Sequence, residues 1–228
     1  MTEDNKKYRN SNICRSSLLL YAVTDRRWLN GKSLKNAVKE ALDGGVTCIQ
    51  LREKDKNALT GCGSDELLEE AREIKAVCAD YNVPFIIDDD VELCKNIDAD
   101  GVHLGQSDMD PVRARKILGP GKIIGVSAHN PQEALIAEAK GADYLGCGAA
   151  FATDSKNNAK NISHETLKRI TETVHIPVIA IGGINADNIS KLKSTGIAGV
   201  AVISAIFAAN DIKKAASQLL KESERYFH

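Results

Sequence analysis

Short runs of β-branched and other apolar residues alternate along this chain with stretches in which apolar residues recur every three or four positions, and the switch in period repeats from end to end. Residues 18–25 predict a first strand. Ser33 then caps a helix that stops at Gly44-Gly45. Residues 48–54 predict a second strand, followed by Ser64-Asp65-Glu66 opening a long amphipathic helix to about Asn82. The third strand, residues 84–89, leads into a short helix over 91–97. After the fourth, 101–105, Asp110-Pro111 forms an N-cap with proline in the first helical position. The fifth, 123–128, is followed by the same device at Asn130-Pro131, with Glu133 placed to complete a capping box. The sixth strand, 143–149, runs into a long polar loop before a helix from Ser163 to about Val174. Residues 177–183 and 199–205 predict the last two strands. Each is followed by a helix, the first over 186–195 and the second opening at Asp211.

Eight strand–helix units in roughly 210 residues match a compact (β/α)8 TIM barrel. Alternation alone leaves an open doubly wound sheet as the alternative, and the regularity of eight units favours the barrel. The central strands are nearly continuous Val/Ile/Ala/Gly runs, as expected of strands covered on both faces. No linker or composition shift divides the chain. The expected organisation is an N-terminal extension over residues 1–17, either loose or a short outer helix, followed by one barrel domain over 18–228.

Charge and composition narrow the function. With 30 Lys+Arg against 31 Asp+Glu the net charge is −1, and the basic excess of a nucleic-acid binder is missing. The longest nearly apolar stretch, 197–209, is too short and interrupted to span a bilayer. The first 17 residues are polar and lack the apolar centre of a secretory signal. The six cysteines form no C-x-x-C pair, so they read as reduced, mostly packed thiols in a cytoplasmic protein.

In a barrel, chemistry sits at the carboxyl ends of the strands. The second strand ends Gln50-Leu51-Arg52-Glu53-Lys54, and side-chain alternation puts Gln50, Arg52 and Lys54 on one face. The third ends Asp88-Asp89-Asp90 and the fourth Gly105-Gln106-Ser107-Asp108. For Asp90 the preferred reading is a helix cap. For Asp89 and Asp108 it is a hard cation, because Mg²⁺ takes one or two carboxylates and leaves its other positions to water and phosphate oxygens. Ser127 reads as a ligand hydrogen-bonding group, while His129 serves equally well as a satisfied structural histidine. The long loop carries Thr153, Asp154, Ser155 and Lys156 and reads as a lid or binding loop. Gly182-Gly183 and Ile203-Ser204 close the seventh and eighth strands, where backbone N–H groups commonly hold phosphate. Together these describe a diphosphate, whose departure cations and a metal assist, and a separate monophosphate used as a handle.

The series Q-L-R-E-K, I-D-D-D, H-L-G-Q-S-D, G-V-S-A-H, T-D-S-K, I-G-G-I and V-I-S-A-I, in that order, closely resembles the thiamine phosphate synthase (thiamine-phosphate pyrophosphorylase) family over about residues 20–209. The resemblance implies a transferase of thiamine biosynthesis that joins hydroxymethylpyrimidine diphosphate to thiazole phosphate and releases pyrophosphate. It further implies Gln50, Arg52, Lys54, Ser127 and Lys156 around the pyrimidine diphosphate, with Arg52, Lys54, Ser127 and Lys156 as the catalytic set. Asp89 and Asp108 would hold Mg²⁺, and Thr153, Ser155, Gly183, Ile203 and Ser204 the thiazole phosphate, with Asp154 in the same loop. Asp88 stands where the family usually has Asn, and leaves three readings open: an added metal ligand, a partner for the pyrimidine amino group, or altered substrate use. The loop over 152–155 and the run Gly148-Ala149-Ala150 also lack prolines common in the family. A thiazole tautomerase on the same barrel, or a non-catalytic phosphate- or thiazole-binding regulator, are the competing readings. The partners expected are the two small substrates, with no nucleic acid or membrane and with homo-oligomerisation left open.

Overall fold

The computed structural model describes residues 12–29, 31–53, 65–152 and 161–227. Among them, β1 (Leu20–Val23), β2 (Cys48–Leu51), β3 (Phe85–Asp88), β4 (Gly101–Leu104), β5 (Ile123–Ala128), β6 (Tyr144–Gly148), β7 (Val178–Ile181) and β8 (Gly199–Val202) pair in parallel, in chain order, and β1 also pairs with β8. The sheet is a closed barrel. Around it run α1 (Leu34–Asp43), α2 (Asp65–Asp80), α3 (Val91–Asn96), α4 (Pro111–Leu118), α5 (Pro131–Ala139), α6 (His164–Thr173), α7 (Ser204–Phe207) and α8 (Ile212–Phe227). The fold is the (β/α)8 barrel expected from the alternating periods.

The helix starts follow local chemistry. Ser33, Asp90, Asp110, Asn130 and Ser163 each accept a backbone N–H of the helix that follows, satisfying a donor that has no intrahelical partner. The box at α5 is a variant. Asn130 Oδ1 accepts from the Glu133 N–H at 2.9 Å, while the Glu133 carboxylate receives the His129 N–H at 2.8 Å. One predicted helix is not one. Over 186–195 the chain makes a 3₁₀ turn, Ile189–Leu192. Here Asn185 Oδ1 accepts from the N–H groups of Asp187 and Asn188, a local turn that competes with helix. The short α7 was not foreseen in the sequence.

Register fixes two separate cores. Residues of one parity on each strand, such as Leu20, Ile49, Ile87, Val102 and Val200, pack outward against the helices. The opposite parity faces inward, where Tyr21, Cys48, Ile86, Ile123, Tyr144 and Ile179 form a second cluster. Burying one such aliphatic side chain contributes roughly 1.5–3 kcal/mol. Glycine makes the large residues fit. A Cβ on Gly125 would stand 2.1 Å from Cζ of Tyr144, and one on Gly146 would stand 2.9 Å from Cε1 of His103.

The described part of the N-terminal segment closes the lower end of the ring. Ile13, just before a 3₁₀ turn at Arg15–Leu18, and Leu18, its last residue, are buried in the inner cluster. The Asn12 side chain donates to the carbonyls of Pro120 and Lys122 at 2.9 and 3.1 Å, and Arg15 donates to those of Ile197 and Phe227 at 2.8 and 3.2 Å. Asp143 is the centre of this end. It accepts from the N–H groups of Asn12 and Ile124, both at 2.8 Å, and from the Arg115 guanidinium at 2.6 Å. Asp143→Ala should therefore lower stability by about 2–4 kcal/mol, since it leaves two N–H groups unpaired and takes the carboxylate from the Arg115 guanidinium, which keeps the carbonyls of Gly119, Lys122 and Gly141. The check is a urea titration, with the midpoint falling at unchanged slope.

Candidate active site

The upper rim, at the carboxyl ends of the strands, carries its polar residues in two arcs. On the first, β2 ends beside β1: the Arg52 N–H donates to Oγ1 of Thr24 at 3.0 Å, and the Thr24 N–H donates to the carbonyl of Gln50 at 2.9 Å. The Arg52 side chain is 8% exposed, and its Nε lies 3.9 Å from Oδ2 of Asp88, itself 11% exposed. That separation is an ion-pair contact, too long for a hydrogen bond. Gln50 shares the inward parity of Cys48. Its Nε2 is buried and has no hydrogen-bond partner among the described residues, a condition that costs about 1–3 kcal/mol unless a ligand meets it. Arg26, which sequence reasoning passed over, donates through Nε to Glu53 at 2.7 Å and through Nη2 to Glu70 of α2. This holds the chain immediately after Arg52.

The three consecutive aspartates are sorted by backbone geometry. Asp90 accepts the Leu93 N–H at 2.8 Å and caps α3, as expected for it. Asp88 turns to Arg52. Between them Asp89 adopts φ 60°, in the left-handed region, and donates its N–H to the carbonyl of His103 at 2.8 Å. A non-glycine residue there carries strain of order 1–3 kcal/mol, the kind of conformation that clusters at functional sites. On the neighbouring strand end, Oδ2 of the exposed Asp108 accepts the Gly105 N–H at 2.7 Å. The backbone hydrogen bond from Asp89 to His103 thus joins the two strand ends from which Asp89 and Asp108 project.

Ser127 ends the arc on β5. Its carbonyl accepts from Gln106 Nε2 at 2.6 Å, and its Oγ lies 3.0 Å from His103 Nε2. His103 Nδ1 in turn lies 3.0 Å from Oη of Tyr144, which lies 2.9 Å from Oη of Tyr21. Burial pushes both phenols well above the ordinary tyrosine range, so both remain protonated. None of these three partners was singled out from the sequence. The available signal was the pair of glycines, Gly125 and Gly146, in strands otherwise rich in β-branched residues. His129 takes the structural role: its Nδ1 lies 2.9 Å from the Glu133 carboxylate. Partial burial raises the pKa of Glu133, but the hydrogen bonds from His129 and Asn130 outweigh it and hold the group below the usual range.

The second arc comprises β7 and β8. Gly182 and Gly183 both have positive φ, 100° and 64°. The Gly182 carbonyl accepts the Phe151 N–H at 3.0 Å, and the Gly183 carbonyl accepts from Asn188 Nδ2 at 2.8 Å. Ile203 is buried, and the exposed Ser204 opens α7, where the Ile206 and Phe207 N–H groups donate to the Ile203 carbonyl at 3.2 and 3.0 Å. The ring therefore brings Gln50, Arg52, Asp88, Asp89, Asp108 and Ser127 onto one arc and Gly183, Ile203 and Ser204 onto another. Lys54, Thr153, Asp154, Ser155 and Lys156 lie outside the described residues.

The four buried cysteines among those described are unpaired in disulfides, and burial raises the thiols of Cys78 and Cys94 to about 12. They are packing groups with no part in the rim. No helix is long and apolar enough to cross a membrane among the described residues.

Residues 20–206 match the family model described as thiamine monophosphate synthase. Among curated proteins, the chain is 48% identical over 200 residues to the thiamine-phosphate synthase of Clostridium tetani, covering 88% of this chain and 93% of the relative. It is 46% identical over 202 residues to that of Ruminiclostridium cellulolyticum, covering 89% and 93%. Among solved structures it resembles thiamine phosphate pyrophosphorylase from Pyrococcus furiosus, with a TM-score of 0.84 and 43% identity over 94% of this chain and 99% of that one.

Glycine at the β7 end is required by space as well as by φ, since a Cβ on Gly183 would stand 2.4 Å from the Ala152 carbonyl oxygen. Gly183→Ala should lower stability by about 1–3 kcal/mol. Gly121→Ala, where nothing lies within 4 Å of the new atom, should stay within about 0.5 kcal/mol of the parent. Parallel denaturation curves test the difference.

Proposed function

The chain belongs to the thiamine monophosphate synthase family and is a transferase of thiamine biosynthesis that makes thiamine phosphate; on that premise we propose that it joins hydroxymethylpyrimidine diphosphate to thiazole phosphate with release of pyrophosphate, the diphosphate resting on the β2–β5 arc and the monophosphate on the β7–β8 arc. The observation that carries this reading is the division of the rim. One arc gathers a buried guanidinium, a buried amide whose Nε2 has no hydrogen-bond partner among the described residues, and carboxylates on adjacent strand ends. The other offers glycines at positive φ and a helix start. Two phosphorylated groups held apart on one ring need both.

Each residue on the first arc has work that its surroundings support. Arg52 is held 3.9 Å from Asp88, close enough to be oriented, and a guanidinium offers a diphosphate two parallel hydrogen bonds. Gln50 directs its amide into the same space. Lys54 and Lys156 would add cationic charge around the departing pyrophosphate, and Ser127 would hydrogen-bond the pyrimidine. No protein nucleophile is required, because the main task is to stabilise negative charge as it leaves. The thiazole nitrogen then supplies the electron pair for the new carbon–nitrogen bond. Thr153, Asp154 and Ser155 would close over the thiazole phosphate with Gly183, Ile203 and Ser204.

Mg²⁺ fits Asp89 and Asp108. Both are hard oxygen donors on strand ends that the Asp89–His103 peptide hydrogen bond joins. Two carboxylates are enough for such an ion, because Mg²⁺ keeps water and substrate phosphate oxygens in the rest of its shell. When bound, the ion stabilises developing charge on the leaving pyrophosphate. Asp88, in place of the family's Asn, has a physical account in its contact with Arg52: its charge holds the guanidinium until a stronger anion arrives.

Three outcomes are expected. Pyrophosphate, measured by a coupled assay, should appear when both substrates and Mg²⁺ are present and not when either substrate is omitted. Thiazole isomerisation without pyrophosphate would point to the tautomerase reading, and binding without turnover to the regulator. Asp89→Asn and Asp108→Asn should each lower kcat by at least about a hundredfold, the loss expected when a Lewis acid contributing several kcal/mol is misplaced. Asp88→Asn should retain activity and lower the KM for the pyrimidine diphosphate by about three- to tenfold, because Arg52 no longer has to leave a carboxylate.

A further inference from the structure

The four hydroxyl and imidazole groups inside the barrel form one chain, from Ser127 Oγ at the rim through His103 and Tyr144 to Tyr21 among the inner apolar residues. Such a chain has a direction, because each neutral hydroxyl or imidazole in it donates one hydrogen and accepts another. The buried end sets that direction. Tyr21 is 1% exposed, packs in one cluster with Ile13, Leu18, Ile86 and Ile123, and has Tyr144 as its side-chain hydrogen-bond partner among the described residues. If Tyr21 accepted from Tyr144, its own O–H would be left to the surrounding hydrocarbon and the Cys48 thiol, a poor acceptor, and a buried hydroxyl without a good acceptor is costly. It therefore donates. Tyr144 Oη then accepts from Tyr21 and gives its own hydrogen to His103 Nδ1, the imidazole carries its hydrogen on Nε2, and that hydrogen goes to Ser127 Oγ.

We propose that Tyr21, Tyr144 and His103 are positioning residues that fix Ser127 as a hydrogen-bond donor to its ligand. With Oγ accepting from His103, the serine hydrogen cannot turn back into the barrel and points to the rim. The group it meets on the substrate is an acceptor. On the aminopyrimidine, which rests on the functional reading above, that group is a ring nitrogen and not the exocyclic amine, which could satisfy Ser127 only in the reverse direction. The space for this chain is built in by Gly125 and Gly146, whose missing side chains admit the Tyr144 ring and the His103 imidazole.

Two measurements test the inference independently. Nitrogen-15 NMR of histidine-labelled wild-type protein without substrate, with the His103 signals identified among five histidines by loss in His103→Gln, should show neutral His103 protonated on Nε2. Protonation on Nδ1 would overturn the proposal. The second is a double-mutant cycle. Tyr21→Phe removes the hydrogen that orients the chain and should raise the KM for hydroxymethylpyrimidine diphosphate about fivefold, with the KM for thiazole phosphate unchanged. In a Ser127→Ala background the same substitution should have no effect on either KM. A change in both KM values, or a Tyr21→Phe effect that persists without the serine hydroxyl, would mean a structural role alone and would overturn it. If wild-type protein releases no pyrophosphate, the functional reading fails while the NMR result still decides the direction of the chain, as it does if Tyr21→Phe does not fold.

Discussion

Closing a parallel sheet on itself removes every edge, and it also dictates which half of each strand's side chains must fill the interior. That constraint governs the rest of this molecule. The register pairs Tyr21 with Cys48, Gln50 with Ile86, Asp88 with His103, His103 with Gly125 and Ser127 with Gly146, so inward residues meet inward residues all the way round. Bulk at one position demands its absence at the next. The lower layers are filled by hydrocarbon and two tyrosines, and the upper layer is left to polar groups whose partners are other strand ends or a ligand.

The electrostatics of the rim follow from how the backbone distributes like charges. Three consecutive carboxylates repel one another, and the turn after β3 separates the residues: Asp90 caps α3, Asp88 faces Arg52, and Asp89, at positive φ, is tied through its backbone N–H to the neighbouring strand end. The same turn carries Asp88, which faces the buried Arg52 guanidinium, next to Asp89, proposed above as a cation ligand.

Much of this was legible in the sequence, and what was not has physical reasons. The alternation of periods and the caps at Ser33, Asp110, Asn130 and Ser163 were readable because each depends on neighbours a few residues away. The placement of Arg52, Asp89 and Ser127 at strand ends was readable because it follows from the order of the strands along the chain. The turn at Ile189–Leu192 was read as helix because its buried positions, Ile189 and Leu192, have helical spacing, while the competing Asn185 side-chain bonds leave no periodic trace. His103 was missed for a different reason. Between Val102 and Leu104 it looks like an ordinary core histidine, and its partners lie on other strands, 24 residues away for Ser127 and 41 for Tyr144. Such contacts belong to the register, which a single sequence does not display.

The lower end of the barrel also bears on how the chain comes to be folded. β1 finds one neighbour in β2 soon after synthesis, but its other neighbour is β8, and Arg15 reaches the carbonyl of Phe227 in the last described helix. Until that final segment emerges, the growing sheet has two open edges and an unsealed interior. Contacts this distant along the chain are slow to form because loop closure must come before their reward. The foot is therefore where the two ends of the chain are joined, and the closed ring on which the rim stands includes the first and last strands together.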